Sequence, residues 1–137
     1  MLLRVLILIL EGSAMSTPKK PDIPADKLAL YNKLIATMPE IERKGAANPY
    51  TSHNGHMFSL LLGPKGVMAL RLPEDEREDF LKKYNTTLHE AYGAVMREYV
   101  TVPDALLKNT KALREHLAVS YAYVKTLKSK PTTKKKR

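Results

Sequence analysis

Residues 54–72 read Asn-Gly-His-Met-Phe-Ser-Leu-Leu-Leu-Gly-Pro-Lys-Gly-Val-Met-Ala-Leu-Arg-Leu, and this stretch decides the fold. Two apolar runs, His56 to Leu62 and Val67 to Leu72, flank Gly63-Pro64-Lys65-Gly66. Proline presets φ for a turn and glycine permits positive φ, so the four residues predict a reversal between two strands. Runs of this length and composition, bounded by turn residues, read as a β-hairpin. Asn54-Gly55 is a two-residue turn signal, and it predicts a weaker strand before it, near Asn48 to Ser52.

Outward from the hairpin the pattern becomes helical on both sides. Leu28, Tyr31, Leu34 or Ile35, and Met38 recur at helical spacing after Pro24, and Pro39 ends the run. Pro73 to Tyr84 predicts a helix with its charges sorted along the dipole. Glu74, Asp75, Glu76, Glu78 and Asp79 sit near the positive end, and Lys82 and Lys83 at the negative end. That acidic run is read as a solvated helix start and not as a metal site. Met96 to Val102 alternates as a half-buried strand does, with Val100 and Val102 on one face and Tyr99 on the other. Thr86 to Glu90 is its expected partner. Pro103 opens a short helix through Leu107. Asn109 or Thr110 caps a last helix whose stripe is Leu113, Leu117, Tyr121 and Val124. The predicted order is α-β-β-β-α-β-β-α-α. It implies an α+β fold of two layers, with an antiparallel sheet and helices packed mainly on one face.

The 137 residues fit one domain of common size, and their 44% hydrophobic content can supply one core. There is no cysteine, which excludes disulfides, thiolate metal sites and cysteine nucleophiles. The net charge of +9 is unevenly placed. Lys125, Lys128, Lys130, Lys134, Lys135, Lys136 and Arg137 close the chain with no acidic residue among them, and the remainder holds 16 basic against 14 acidic residues. The body is therefore nearly neutral and residues 129–137 form a basic tail. Lys130, Lys134, Lys135, Lys136 and Arg137 are its candidate contacts to nucleic-acid phosphate, weak and nonspecific. Base stacking would also need ordered aromatic residues, which the tail lacks.

Residues 1–25 read as a leader or linker. Met1 to Leu10 is far short of the ~20 apolar residues that cross a bilayer. Arg4 interrupts it, so it fits a signal peptide only in part. The alternative start is Met15, ahead of a polar leader rich in proline. A reducing, cytoplasmic location is the expectation, with cleavage of residues 1–14 as the other reading. The domain itself is placed at 26–128.

No catalytic constellation emerges. A metal or nucleophilic site needs several groups converging on one point. Of the four histidines, His53 and His56 lie three apart around a predicted turn, so on one strand they would point to opposite faces, although a bend could still bring them together. His89 and His116 are the other two, and His116 lies half exposed on the last helix. No glycine-rich loop opens a helix, so no phosphate-cradling fingerprint is present. Tyr121 reads as core, and Tyr123 lies on a different side of its helix. Neither catalytic residues nor a cofactor or metal are expected.

The residues from 54 to 84, followed by Met96 to Leu127 and a basic tail, resemble the N-terminal domain of the TfoX/Sxy family. The resemblance is carried by Asn54-Gly55 before Met57-Phe58, by the hairpin and by the Leu70-Arg71-Leu72-Pro73 junction. Tyr99-Val100, Val102-Pro103 and Ser120-Tyr121 continue it, and it covers roughly residues 28 to 128. Where the family commonly has a Met-Phe-Gly-Gly-type segment before the hairpin, this chain has Pro49-Tyr50-Thr51-Ser52. The resemblance implies a two-layer α+β domain, bacterial and regulatory, that acts through a protein partner or a second copy. The chain looks like a stand-alone version of a first domain that is followed by a second in full-length regulators.

Overall fold

The computed structural model describes residues 23–91 and 93–129. The readings of the leader and of the basic tail beyond 129 lie outside the described residues. Four helices and five strands follow in the predicted order: α1 (Ala25–Ala36), β1 (Tyr50–His53), β2 (His56–Leu62), β3 (Val67–Arg71), α2 (Glu74–Lys83), β4 (Leu88–Ala91), β5 (Ala94–Val102), α3 (Asp104–Leu107) and α4 (Thr110–Lys125). The strands form one antiparallel sheet in the order β1-β2-β3-β5-β4. The fold is α+β.

Both turn signals act as their chemistry requires. Asn54 and Gly55 adopt φ of 50° and 84°, and His53 faces His56 across them. Positive φ at both central residues matches the twist of the flanking strands. At the second turn the Gly66 amide donates to the Gly63 carbonyl at 3.0 Å. A Cβ on Gly66 would lie 2.7 Å from Lys27, so the first turn of α1 packs onto this reversal.

One face of the sheet carries the core. Phe58 and Leu61 of β2, Met68 and Leu70 of β3, and Val100 and Val102 of β5 bury against Tyr31, Leu34, Leu113, Leu117 and Val124 from the helices. α4 crosses β1, β2 and β3 and packs on α1 and α3, while α2 packs on β5. The register explains who faces inward. Leu61 pairs with Met68, and Met68 with Val102, so the three share one face. Leu60, Ala69 and Thr101 are the neighbouring trio on the other face.

Two irregularities break simple alternation. In β2 the register slips by one between Ser59 and Met57, which leaves Phe58 as the extra residue of a bulge. Between β4 and β5 it slips by three, since Leu88 pairs with Val100 but His89 with Met96.

The last helix is capped by Asn109, whose side chain accepts from the Ala112 amide at 3.2 Å. Its buried positions are Leu113, Leu117, Ser120 and Val124. Ser120 takes the place expected for Tyr121, which is only partly buried. The Ser120 hydroxyl donates to the Arg71 carbonyl, with the Phe58 carbonyl at 3.3 Å. A buried serine satisfied by strand carbonyls is invisible to a hydrophobic stripe.

Candidate functional site

The sheet face away from the helices holds a groove of about 650 Å³. It runs across Leu62 of β2, Val67 of β3, Thr101 of β5 and Leu88 and His89 of β4, with Asn48 at its rim. Among the described residues, only strands and their connecting loops line it. Two features of the fold build this place. The Gly63–Gly66 turn sets Leu62 beside Val67. The insertion of β5 between β3 and β4 brings Thr101 and His89 to the groove from more than twenty residues away in sequence. Among the described residues, β4, four residues long, is an edge strand of the sheet, and edge strands present backbone donors and acceptors to a further strand.

His89 is the chemically distinctive residue of this groove. It is 6% exposed, and its Nε2 is shut off from solvent with no hydrogen-bond partner among the described residues. Burial lowers the pKa of its imidazole below the ordinary 6.5 by penalising the charged form. No sequence signal marked His89, because β4 is too short to show a period.

The other histidines serve different ends. His53 and His56 flank the β1–β2 turn as cross-strand neighbours and share a side, the arrangement expected of two histidines around a hairpin bend. The His53 ring stands edge-on to Tyr121 at 5.5 Å, and His56 Nε2 meets the Lys128 carbonyl at 2.7 Å. Both thus bind the C-terminal end of α4 to the turn. His116 pairs its Nε2 with the Tyr84 hydroxyl at 2.9 Å and stands edge-on to Phe80 at 5.0 Å. Desolvation first, and the Lys83 ammonium second, push its pKa down.

Among the described residues no group of three or more His, Asp or Glu side chains is placed to hold a metal. No helix among them is long and apolar enough to cross a membrane. The motif residues Asn54, Gly55, Met57 and Phe58 fall in the tight turn and the bulge that starts β2, with the Met57 carbonyl accepting from the Tyr99 hydroxyl at 2.7 Å. Around it, Arg71 donates to Glu98 at 2.7 Å and lies over the rings of Tyr99 and Tyr123, 5.9 and 5.7 Å from their centroids. Burial alone would raise the Glu98 carboxyl, but Arg71 and the Tyr123 hydroxyl outweigh it and hold it below the usual range. Tyr123 therefore belongs to this cluster, and Tyr121 stacks on Phe58 at 5.5 Å beneath Lys125.

A pH dependence follows from the two histidines. Their folded-state pKa values are depressed, so the unfolded chain binds more protons below about pH 6.5. The stability they contribute is complete above that value and is lost as pH falls through the folded-state pKa. Urea unfolding should show a lower midpoint at about pH 5.5 than at about pH 7.5. His89→Phe should narrow that difference. An unchanged difference would assign the effect to other groups.

Comparison of the chain with protein-family models, with curated proteins and with solved structures yields no match.

Proposed function

We propose that this chain is a non-enzymatic regulatory module of the TfoX/Sxy N-terminal type, which meets a protein partner, or a second copy of itself, through the bare face and free edge of its sheet. The observation that carries this reading is the groove bordered by the unpaired β4 edge. Such a surface suits an added strand, whose backbone bonds to the edge while alternate side chains enter the groove. The residues that resemble the family support the assignment, because they lie where the chain turns, bulges and passes from β3 into α2.

The test joins light scattering after size-exclusion chromatography with capture from native lysate, on the wild type and on Val67→Lys. Val67 lies in the groove and outside the helix-packed core. Self-association, or a captured partner, that Val67→Lys abolishes without loss of helix signal is the expected result. A strict monomer that captures nothing, or capture indifferent to Val67→Lys, would remove the reading.

A second reading is accessory contact with nucleic acid through Lys130, Lys134, Lys135, Lys136 and Arg137. Those five lie outside the described residues. The reading is favoured by Lys125 and Lys128, exposed at the end of α4 from which the tail continues. A salt titration of DNA binding by the full chain and by a chain ending at Ser129 separates it. Steep loss of affinity with salt in the full chain, and weaker binding on truncation, is expected. If neither binds at low salt, the reading fails.

A further inference from the structure

We infer that Asn54 is a spontaneous modification site of the folded protein, where loss of ammonia yields isoaspartate and frees the C-terminal end of α4 from the β1–β2 turn. This goes beyond the partner-docking reading and does not rest on it.

The reaction is intramolecular, which gives its two groups a high effective concentration. The backbone nitrogen of the residue after an asparagine loses its proton to hydroxide and attacks the side-chain carboxamide carbon. A bond forms between that nitrogen and that carbon, the carboxamide C–N bond breaks, and the leaving amide takes a proton from water and departs as ammonia. Water then opens the five-membered imide at one of its two carbonyls, which gives aspartate or isoaspartate. Water is the only co-reactant, and nothing is oxidised or reduced.

The chain has five asparagines, and all five are exposed. Exposure therefore does not choose among them, but the local backbone does. Asn48 precedes Pro49, whose nitrogen carries no hydrogen to lose. Asn32 lies inside α1, where the helix fixes the backbone on both sides. Asn85 precedes the β-branched Thr86, whose amide donates to the Leu81 carbonyl at 3.1 Å. The Asn109 carboxamide is held by the Ala112 amide at 3.2 Å. Of the five, only Asn54 precedes a glycine, which has no Cβ to screen its nitrogen. The pair that closes its turn is His53 with His56, so the Gly55 amide lies outside the ladder. The turn also ends a strand of only four residues. Such a turn opens locally at small cost, and opening supplies the rotation that attack requires.

Isoaspartate carries the main chain through the former Cβ. That adds one atom to a turn built for two residues with φ of 50° and 84°. The pairing of His53 with His56 does not survive the insertion. His53 stands edge-on to Tyr121 at 5.5 Å, and His56 Nε2 meets the Lys128 carbonyl at 2.7 Å, so two ties between the turn and the end of α4 are lost together.

The full chain, incubated at mildly alkaline pH and digested with trypsin, yields a peptide of residues 45–65 for tandem mass spectrometry. The peptide holds both Asn48 and Asn54 and so carries its own control. A gain of about 1 Da is expected at Asn54 and not at Asn48. The same peptide incubated free gives the rate without the fold, and the native rate should lie within about tenfold of it. Asn54→Gly preserves a positive-φ turn and should abolish the gain. In the isoaspartyl fraction, amide exchange over residues 121–128 should be at least about tenfold faster than in the unmodified chain. Conversion in the free peptide with none in the native chain, or earlier conversion at another asparagine, would overturn the site. Unchanged exchange over residues 121–128 would overturn the release of α4.

Discussion

Phe58→Ala is expected to lower the unfolding free energy by about 3–5 kcal/mol, the largest loss from any single truncation argued for this chain. Phe58 is fully buried and stands as the extra residue of the β2 bulge. Its ring supports Tyr121 at a centroid distance of 5.5 Å, and its carbonyl lies beside the buried Ser120 hydroxyl. Truncation leaves a cavity between the sheet and α4, and a bulge held by backbone pairing on both sides cannot collapse to fill it. Phe58→Leu should cost much less, about 1–2 kcal/mol, because most of the volume returns. Denaturant unfolding of the pair gives the comparison. Amide exchange should also accelerate over the last turn of α4, where Tyr121 and the His56 contact to Lys128 hold the helix to the turn. Equal, small losses for both variants would show that the site relaxes and that the bulge does not position Phe58.

Ser59→Ala should cost about 2–4 kcal/mol, although it removes one oxygen atom. The Ser59 hydroxyl bonds to the Tyr31 hydroxyl at 2.7 Å and to Thr51 Oγ1 at 2.6 Å, and all three residues are fully buried. Alanine leaves two hydroxyls without their shared partner, in a place where water does not replace it. The chain of hydroxyls ties α1 to β2 and β1, so the loss is felt in three elements. Burial also pushes the Tyr31 phenol far above its ordinary value, so it remains the neutral donor or acceptor across the accessible pH range. The double substitution Tyr31→Phe with Ser59→Ala should be less damaging than the sum of the two, since it removes donor and acceptor together. Strict additivity in urea unfolding would mean that the hydroxyls act separately.

These two residues also show where sequence reasoning reaches its limit. His-Met-Phe-Ser-Leu-Leu-Leu reads as one apolar strand, and it is one. Nothing in it reveals that Phe58 and Ser59 straddle a slip in register, which alters the inward sequence from a two-residue beat. Turns, caps and charged helix ends were legible because their chemistry is local. Asn54-Gly55, Gly63–Gly66, the acidic start of α2 and the Asn109 cap each act within a few residues. The order of elements followed from them and matches the structure, with strand ends displaced by one or two residues. The same holds for the helical stripe on α4, except where Ser120 replaces Tyr121.

The groove was not legible. Its walls come from four strands, and its floor exists only because β5 lies between β3 and β4. His89 sits on a four-residue edge strand whose side chains show no pattern. Its significance rests on the absence of a partner in three dimensions, which a sequence does not display. The histidine pair at residues 53 and 56 was legible, because its turn is local. The Asn54-Gly55 signal placed them around a bend, and the two-residue turn makes them neighbours whose rings meet Tyr121 and the Lys128 carbonyl near the end of α4.

The placement of α4 late in the chain bears on how the protein is made. β1, β2 and β3 form a meander of short loops, whose pairing needs only microseconds once the residues are free. Its apolar face, with Phe58, Leu61, Met68 and Leu70, finds most of its cover only when Leu113 to Val124 arrive. During synthesis at some 5–20 residues per second, that face is uncovered for several seconds. The nascent sheet is then the species most exposed to aggregation. Variants that slow the docking of α4 should therefore reduce soluble yield in cells more than their equilibrium stability would suggest.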